Sequence, residues 1–452
     1  MTHPEAIQFL YGLRWFGAKL GLGNTFKLAE LAGNPQEKLR FIHVAGTNGK
    51  GSTCAMLESI YRASGLRVGL FTSPHLVSFG ERIQVNRQPI AEADVARLVA
   101  EMQFLLERSW GKRPAVAIDS ASQHAVAEHP TFFEVVTILA LRYFVEQNCD
   151  LVIWETGLGG RLDSTNIVSP LASVITNIQF DHQKWLGETL ASIAAEKAGI
   201  IKPGVPVVTA TSGEEPLRVI CDTARRQSAP LQVLTPEDAR RPPLDTLQLP
   251  LVGEHQRMNA LVAIATVRQL QSQLPVTEEA IRAGLTGVQW AGRLQLVTQP
   301  GGQQLLLDGA HNLAGAGILV AAMKQYFPAA ARTLVLGILR DKDWPGMCEI
   351  LAPTAQRILL VPVPSERSAT PQELAEICRR ANLQAEVTEC TSLQQALELV
   401  GNETFVTVAG SLYLVGEAME LLQLSPASTV HERSLNEWGG VPGNAQPHTA
   451  RP

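Results

Sequence analysis

Short apolar runs alternate with longer helical segments, and this alternation limits the possible folds more than any other feature. The runs "FIHVAG", "LRVGLFTSPH", "CDLVIWETG", "ASVITNIQFDH" and "VPVVTA" have the length and composition of buried strands. The segments between them, such as "STCAMLESIYRASG" and "TFFEVVTILALRYFVEQN", have the length and apolar spacing of helices. Strands that alternate with helices form βαβ units, so we predict an α/β fold with a P-loop and a doubly wound, mostly parallel sheet.

The same alternation restarts near Arg293. The segments "QLLLDGAHNLAGAGILVAAM" and "RTLVLGILRDKDWPGM" each contain a strand, a turn and a helix. We therefore predict an N-terminal domain of residues 1–293 and a smaller, Rossmann-like α/β domain of residues 294–424. Residues 425–452 are rich in Pro, Gly, Ser and Asn and are expected to form a flexible tail. Local docking of "SLNEWGG" within that tail is the alternative.

The composition excludes several classes of protein. The chain of 452 residues has a net charge of −5 and no long basic run, so we expect it to bind neither nucleic acid nor an anionic membrane. No apolar run approaches the ~20 residues that a membrane helix needs, and the N-terminus lacks the apolar core of a signal peptide. Scattered cysteines without paired spacing predict reduced thiols in a cytoplasmic protein. They are Cys54, Cys149, Cys221, Cys348, Cys378 and Cys390.

A glycine-rich turn, "HVAGTNGKGST", follows the first apolar run. It departs from the G-x-x-x-x-G-K-[ST] pattern because Val44 stands at the first glycine and Gly51 separates Lys50 from Ser52. Its position still fits a nucleotide site, with a helix expected to open at Ser52. The N–H groups of Gly49 to Ser52 would then cradle phosphate at a helix N-terminus, and Lys50 would add a positive charge. The alternative is an ordinary turn between a strand and a helix.

Polar groups end several of the predicted strands. Ser73, Glu155 and His182 follow or close three of them. Because ligands of parallel sheets bind at the carboxyl ends of the strands, these groups are expected to meet beside the glycine turn and to hold Mg²⁺. Each has an alternative: Ser73 caps a turn, Glu155 pairs with Arg161, and His182 is a hydrogen-bonding residue, since histidine is an unusual ligand for Mg²⁺.

Two further stretches contain polar groups that suit a ligand site. The segment "ETGLGGRLDSTN" is dense in glycine, which suits close approach of the backbone to a ligand. The segment "AAEKAGIIKPG" places Lys197 in a predicted helix, directly after Glu196. The alternative for Lys197 is an ordinary solvated lysine.

These stretches belong to a longer series of motifs that carries a family resemblance. The series is "AGTNGKGST", "TSPHL", "TFFE", "ETGLGGRLDSTN", "DHQKWLG", "EKAGI", "HQRMNA", "GRLQ" and "DGAHN", from Ala45 to Asn312. In this order the motifs resemble those of folylpolyglutamate synthase, also called dihydrofolate synthase, of the Mur ligase superfamily. In that family the lysine of the loop is followed by Gly and then Ser or Thr, so the departure at Gly51 matches the family's own pattern.

The resemblance implies an ATP-dependent ligase that adds L-glutamate to folates, including tetrahydrofolate, and to dihydropteroate through an acyl phosphate. It implies ATP and Mg²⁺ as cofactors and a catalytic role for Lys50, Lys197 and His182. The implied nucleotide contacts are Gly49, Lys50, Gly51, Ser52, Asn259, Arg293 and Asp308. The implied metal ligands are Ser73, Glu155, His182 and Lys197, with the lysine carbamylated. The implied pterin-side contacts are Thr131, Phe132, Phe133, Glu134, Leu162, Asp163 and Ser164.

The expected partners are the small-molecule substrates alone, with no nucleic acid and no membrane, and the expected state is a monomer. Two other functions are open to the sequence. A peptidoglycan Mur ligase shares the loop, but only 45 residues precede Gly46, which is too few for its nucleotide-sugar domain. A nucleotide hydrolase with a regulatory role would need no amino-acid or pterin pocket, and folate-dependent ATP turnover would distinguish it.

Overall fold

The computed structural model describes residues 1–14, 21–111, 129–328, 333–425 and 432–436. Within these residues the chain forms two sheets, each covered by helices. The first sheet has eight strands in the order β4-β3-β2-β5-β1-β6-β7-β8, and the second has six in the order β13-β12-β11-β14-β10-β9. The predicted α/β fold with two sheet regions is confirmed.

The strands of the first sheet are short and mostly fully buried. They are Phe41–Ala45 (β1), Val68–Phe71 (β2), Ile83–Val85 (β3), Gln88–Pro89 (β4), Leu151–Glu155 (β5), Ala172–Ile175 (β6), Val207–Thr209 (β7) and Leu231–Val233 (β8). Strand β1 pairs in parallel with β5 and β6, whereas β3 and β4 run antiparallel at one edge. The sequence reasoning identified the parallel strands β1, β2, β5, β6 and β7 and missed β3, β4 and β8.

Helices flank this sheet on both faces. They are His3–Leu13 (α1), Gly23–Leu31 (α2), Lys50–Ala63 (α3), Glu92–Trp110 (α4), Phe132–Glu146 (α5), Gln183–Leu186 (α6), Leu190–Ala198 (α7), Glu214–Arg226 (α8), Glu254–Gln269 (α9) and Glu278–Thr286 (α10). Successive residues of β1 enter different cores, since Phe41 packs with α5 whereas Ile42 packs with α3 and α9. This two-sided burial explains why the parallel strands read as continuous apolar runs.

The second sheet is smaller. Its strands are Gln295–Thr298 (β9), Gln304–Asp308 (β10), Thr333–Leu336 (β11), Arg357–Leu360 (β12), Glu386–Glu389 (β13) and Phe405–Ala409 (β14). Its helices are Leu313–Tyr326 (α11), Trp344–Leu351 (α12), Pro371–Ala381 (α13), Leu393–Leu399 (α14) and Leu412–Leu421 (α15). All neighbouring strands are parallel except the edge pair β9 and β10. The domain boundary at residues 293 and 294 stays a prediction, and β9 begins just after it.

The two sheet regions are in direct contact. The loop after β2 carries Val77 into the apolar core of the second region, where it joins residues of α15. Most of the expected tail lies outside the described residues. The part that the structure describes includes a short 3₁₀ turn, Arg433–Asn436, in which Leu435 is 1% exposed. For these residues the structure therefore shows a docked segment in place of a mobile one. In the described part of the chain, none of the helices combines the length and the apolar character that crossing a bilayer requires.

Candidate active site

A single pocket lies where the carboxyl ends of the parallel strands of both sheets face each other. Every residue that the sequence analysis assigned to the site lines this pocket. They are Gly49, Lys50, Gly51, Ser52, Ser73, Thr131, Phe132, Phe133, Glu134, Glu155, Leu162, Asp163, Ser164, His182, Lys197, Asn259, Arg293 and Asp308. The pocket brings together residues separated by more than 250 positions in the chain, so the residues have the proximity that a shared site requires. Their individual roles stay predictions.

The glycine loop connects β1 to α3. Gly49 has φ of +82°, and a Cβ atom there would lie 2.4 Å from the Oδ1 atom of Asn259. A Cβ atom on Gly51 would lie 2.9 Å from the Trp290 ring. A side chain at either position would clash with these neighbouring atoms, so both positions require glycine. Gly49 also has a left-handed backbone conformation, which favours glycine. The helix begins at Lys50 with Gly49 as its N-cap, so the predicted start at Ser52 is wrong by two residues.

Two lysines converge on one carbonyl group of this loop. The Nζ atoms of Lys50 and Lys197 donate to the Gly46 oxygen over 3.1 Å and 2.8 Å. Lys197 lies near the end of α7 and is 4% exposed. Burial, and then the nearby charge of Lys50, lower the pKa of Lys197 to about 7. The alternative of a solvated lysine is therefore wrong, because this amine is buried and readily loses its proton.

Glu155 closes β5 and lies beside Ser73. Its Oε2 atom accepts a hydrogen bond from the Ser73 N–H over 3.2 Å. Burial raises the pKa of this carboxyl to about 7 against the opposing charge of Lys50. The proposed alternative partner, Arg161, instead pairs with Glu196 over 2.7 Å. The ion-pair alternative for Glu155 is therefore wrong, and its charge is not neutralised by that arginine.

His182 follows β6 in a left-handed conformation, with φ of +51°. Burial lowers the pKa of its imidazole to about 3, so the ring is neutral at physiological pH. The described residues contain no cluster of three or more His, Cys, Asp and Glu side chains at metal-binding distances. A buried carboxylate with a raised pKa that accepts from the Ser73 N–H, in a pocket also lined by a neutral imidazole, nevertheless fits a divalent cation, since the cation would stabilise the charged form.

Asp181 is a site residue that the sequence analysis did not select. Its Oδ1 atom accepts from Lys342 Nζ over 2.7 Å, and its Oδ2 atom accepts from Asn312 Nδ2 over 3.2 Å. Its side chain is 8% exposed and that of Lys342 is 10% exposed. Although burial opposes the charge, the hydrogen bond from His311 and the charge of Lys342 hold the pKa of Asp181 well below its usual range. This buried ion pair joins the two sheet regions across the pocket.

A second connection ties the glycine loop to the other sheet region. The side-chain amides of Asn48 and Asn312 exchange hydrogen bonds over 3.1 Å and 3.4 Å. Asn312 also caps α11, because its Oδ1 atom accepts from the Gly315 N–H. Asp181 ends the segment "QFD" after an apolar strand, and Lys342 lies in "RDKD" after another. Their positions after strands were the available signal for both residues.

Asp308 and Arg293 reach the pocket from the second sheet region. The Asp308 carboxylate, at the end of β10, accepts from the N–H groups of Leu294 and Ala310 over 2.8 Å and 2.9 Å. Burial raises the pKa of Asp308, and the charge of Arg293 opposes that rise. Arg293 donates weakly to the Gly309 oxygen over 3.5 Å. The structure therefore brings both predicted residues to the side of the glycine loop.

The predicted pterin-side residues form another part of the pocket wall. Thr131 caps α5, and the Glu134 carboxylate accepts from its N–H over 2.7 Å, which completes a capping box. Asp163 accepts from the N–H groups of Leu158 and Thr165 over 2.7 Å and 3.1 Å. Polar side chains in both motifs thus satisfy backbone donors, leaving Phe132 and Phe133 as apolar surface of the pocket.

Two family models match this chain. The Mur ligase middle domain matches residues 44–211, and the Mur ligase glutamate ligase domain matches residues 292–412. Together they span both sheet regions and most of the residues of the pocket. The fold and the site therefore define a protein of the Mur ligase class.

Comparison with individual proteins narrows this class. The chain is 36% identical to a dihydrofolate synthase/folylpolyglutamate synthase of Bacillus subtilis over 442 residues, covering 93% of this chain and 99% of the relative. It therefore belongs to the folylpolyglutamate synthase/dihydrofolate synthase family. A crystal structure of folylpolyglutamate synthase from Thermotoga maritima is 34% identical with a TM-score of 0.79, covering 96% and 99% of the chains. E. coli FolC in complex with DHPP and ADP is 32% identical with a TM-score of 0.79, covering 94% and 98%.

Proposed function

We propose that this protein is an ATP-dependent ligase that joins the amine of L-glutamate to a carboxylate of tetrahydrofolate or dihydropteroate. The observation that carries the proposal is the convergence of Lys50 and Lys197 on the Gly46 carbonyl, next to a buried carboxylate at Glu155. In this arrangement Lys50 supplies the positive charge that phosphoryl transfer needs at a water-excluded point, and Lys197 and Glu155 supply groups for the metal proposed below. Membership of the family supplies the substrate class.

The reaction consists of two balanced steps. A carboxylate oxygen of the acceptor attacks the γ-phosphorus of ATP, and the bond to the β–γ bridging oxygen breaks to release ADP. The neutral amine of glutamate then attacks the carbonyl carbon of the acyl phosphate. The tetrahedral intermediate loses phosphate, and a proton leaves the nitrogen, so that an amide remains.

The glycine loop is proposed to hold the phosphates of ATP. Gly49 places the backbone N–H groups at the start of α3 toward a common point, where the helix dipole favours an anion. Lys50 donates to backbone carbonyl groups over 3.1 Å and 3.3 Å, which holds its ammonium group at the loop. We propose that it turns from these carbonyls to the phosphates when nucleotide binds. Asn259, Arg293 and Asp308 are proposed as further nucleotide contacts.

Glu155, Ser73, His182 and carbamylated Lys197 are proposed to hold Mg²⁺. Magnesium supplies positive charge that offsets the developing charge on phosphate oxygens when bound. The raised pKa of Glu155 supports this assignment. The carboxylate is buried and is not paired with Arg161, so a bound cation would stabilise its charged form. The lowered pKa of Lys197 supports its modification, because only a neutral amine adds CO₂.

The acceptor is proposed to lie along the wall that Phe132, Phe133 and the segment Leu162–Ser164 form. The aromatic rings offer a stacking surface for a pterin. Backbone groups near Asp163 are already paired, so this wall is rigid before the acceptor binds. We further propose that the protein acts in the cytoplasm as a monomer.

The proposal is tested with purified protein, ATP, Mg²⁺ and radiolabelled glutamate, offered tetrahydrofolate or dihydropteroate in turn. The expected result is one glutamate incorporated for each ADP released, with no turnover when the acceptor is left out. ATP hydrolysis at the same rate with and without an acceptor would overturn the ligase proposal and favour the regulatory hydrolase.

A further inference from the structure

The docked C-terminal segment, Glu432–Asn436, forms part of the pocket wall. Leu435 and Asn436 line the pocket and are 1% and 4% exposed. Leu435 belongs to the apolar core around α5. The segment is thus built into the same cavity as the glycine loop, although no step of the proposed reaction uses it.

Hydrogen bonds hold this segment to the loop that follows β2. The Phe79 N–H donates to Glu432 Oε2 over 2.7 Å, and Asn436 Nδ2 donates to the His75 carbonyl over 2.9 Å. Arg433 forms an ion pair with Glu420 on α15. The segment therefore contacts both sheet regions at the point where they meet.

These contacts determine the tautomer of His75. Its Nδ1 atom accepts a hydrogen bond from Arg82 Nε over 2.8 Å, so the ring proton lies on Nε2. That Nε2 atom then donates to the Glu432 carbonyl over 2.8 Å. His75 is 2% exposed and has both ring nitrogens engaged. The carbonyl of the C-terminal segment thus orients the histidine that in turn orients Arg82.

Arg82 is a buried cation whose hydrogen-bond partners among the described residues, His75 and Asn436, are neutral. It is 3% exposed, and its guanidinium lies 5.4 Å from the centre of the Phe132 ring. Its second hydrogen bond goes from Nη2 to Asn436 Oδ1. Among the described residues, no carboxylate lies within ion-pair distance of it, and its Nη1 atom makes no hydrogen bond. The adjacent Glu81 carboxylate instead accepts from the N–H groups of residues 76–78.

Glu81 and Glu155 act on this guanidinium only from beyond ion-pair distance, and burial lowers its pKa to about 10, so among the described residues its charge is not directly paired and the geometry suits a site that receives an anion. A guanidinium presents paired donors that match a carboxylate. Arg82 stacks on Phe132, on the proposed acceptor side, and not on the glycine loop. The anion it suits is therefore a carboxylate of the acceptor and not a phosphate of ATP.

We propose that the segment Glu432–Asn436 is a positioning element of the acceptor site, which holds Arg82 through neutral contacts so that its charge meets an acceptor carboxylate. This inference rests on the proposed function. It extends that function, because it assigns acceptor recognition to residues outside the motifs of the sequence. Asn436 is the positioning residue. Its side chain must be neutral, because a carboxylate there would neutralise the Arg82 charge that is proposed to bind the acceptor.

The test compares Asn436→Asp and Asn436→Ala with the wild type. The aspartate keeps a hydrogen-bond acceptor for Arg82 and neutralises its charge but loses the donor to the His75 carbonyl, whereas the alanine removes both contacts. Both variants are expected to raise the KM for tetrahydrofolate about tenfold, because one charge-assisted contact is lost. The kcat and the KM for ATP are expected to change less than about threefold. The matched control is Asn382→Ala, which removes a side-chain amide that donates to the carbonyls of Ala352 and Ala355, away from the pocket.

Melting temperature and equilibrium binding of tetrahydrofolate are measured alongside the kinetics. The expected result is that Asn436→Asp, which keeps its contact to Arg82, melts no lower than Asn436→Ala but binds the folate about tenfold more weakly than the wild type. Wild-type folate affinity in Asn436→Asp with a loss only in Asn436→Ala would show a structural role and overturn the proposal. A rise confined to the KM for ATP would also overturn it. If the wild type itself neither binds folate nor turns over ATP with it, the proposed function fails first, and this inference fails with it.

Discussion

Removal of the buried ion pair between Asp181 and Lys342 is expected to impair the reaction by loosening the two sheet regions. In Lys342→Met the carboxylate stays buried and keeps the contact to Asn312 and the approach of His311 at 3.6 Å. Breaking a buried pair costs about 3–5 kcal/mol when nothing replaces the partner. Because two partners remain, we expect a stability loss of about 2–3 kcal/mol, which sets the largest fall in kcat/KM for glutamate at roughly 30- to 150-fold.

The assay is ADP release at subsaturating glutamate for Lys342→Met, Asp181→Asn and the double variant. The double variant is expected to be no worse than either single variant, because the second change removes a group already left unpaired. The matched control is Arg340→Met, on the same loop as Lys342. It breaks an exposed ion pair with Glu373 and is expected to leave the rate nearly unchanged. Additive losses in the double variant, or equal losses in the control, would refute the coupling.

Three further substitutions probe the loop and the proposed metal site. Lys50→Ala is expected to abolish turnover at an unchanged melting temperature, and near-wild-type turnover at saturating ATP would contradict the nucleotide assignment. Glu155→Gln is expected to raise the Mg²⁺ concentration for half-maximal rate more than the Kd for folate. An unchanged Mg²⁺ titration would make Glu155 structural. Lys197→Ala is expected to regain part of its activity with acetate, and wild-type CO₂ activation should rise with pH through about 7, as the amine loses its proton. Rescue by amines alone would contradict the carbamate.

Strand ends located part of the pocket from the residues alone, namely Ser73, Glu155 and His182, whereas the family resemblance supplied Asp308, Arg293, Asn259 and the pterin-side contacts. Glu155 and Asp308 each end an apolar run, and parallel strands present their carboxyl ends to one edge. The glycine loop was identified from its position between a strand and a helix, despite Val44 at the first glycine. Local pattern therefore sufficed wherever the chain's own neighbours decide the position of a side chain.

Contacts between distant parts of the chain were beyond that reasoning. The partner of Arg161 is Glu196, which comes next to it only because α7 packs beside the loop after β5. The burial of Lys197 has the same origin. The short antiparallel strands β3 and β4 are too brief to show a two-residue period.

The docked segment at Glu432 shows the same limit most clearly. Its composition favours mobility, and its partners include the N–H of Phe79 and the side chain of His75, about 350 residues earlier in the chain. The sequence analysis selected His182 and not the neighbouring Asp181. In the structure the carboxylate joins the two sheet regions, while the imidazole is buried and neutral.

The most direct test of the ligase account is the stoichiometry of a single reaction. Purified protein is incubated with ATP, Mg²⁺, unlabelled glutamate and tetrahydrofolate whose carboxylates carry ¹⁸O. An acyl phosphate requires that one labelled oxygen pass from the folate to the released phosphate for each amide formed. The account predicts this transfer at a ratio of one. Amide formation with unlabelled phosphate, or phosphate release without amide, would contradict it.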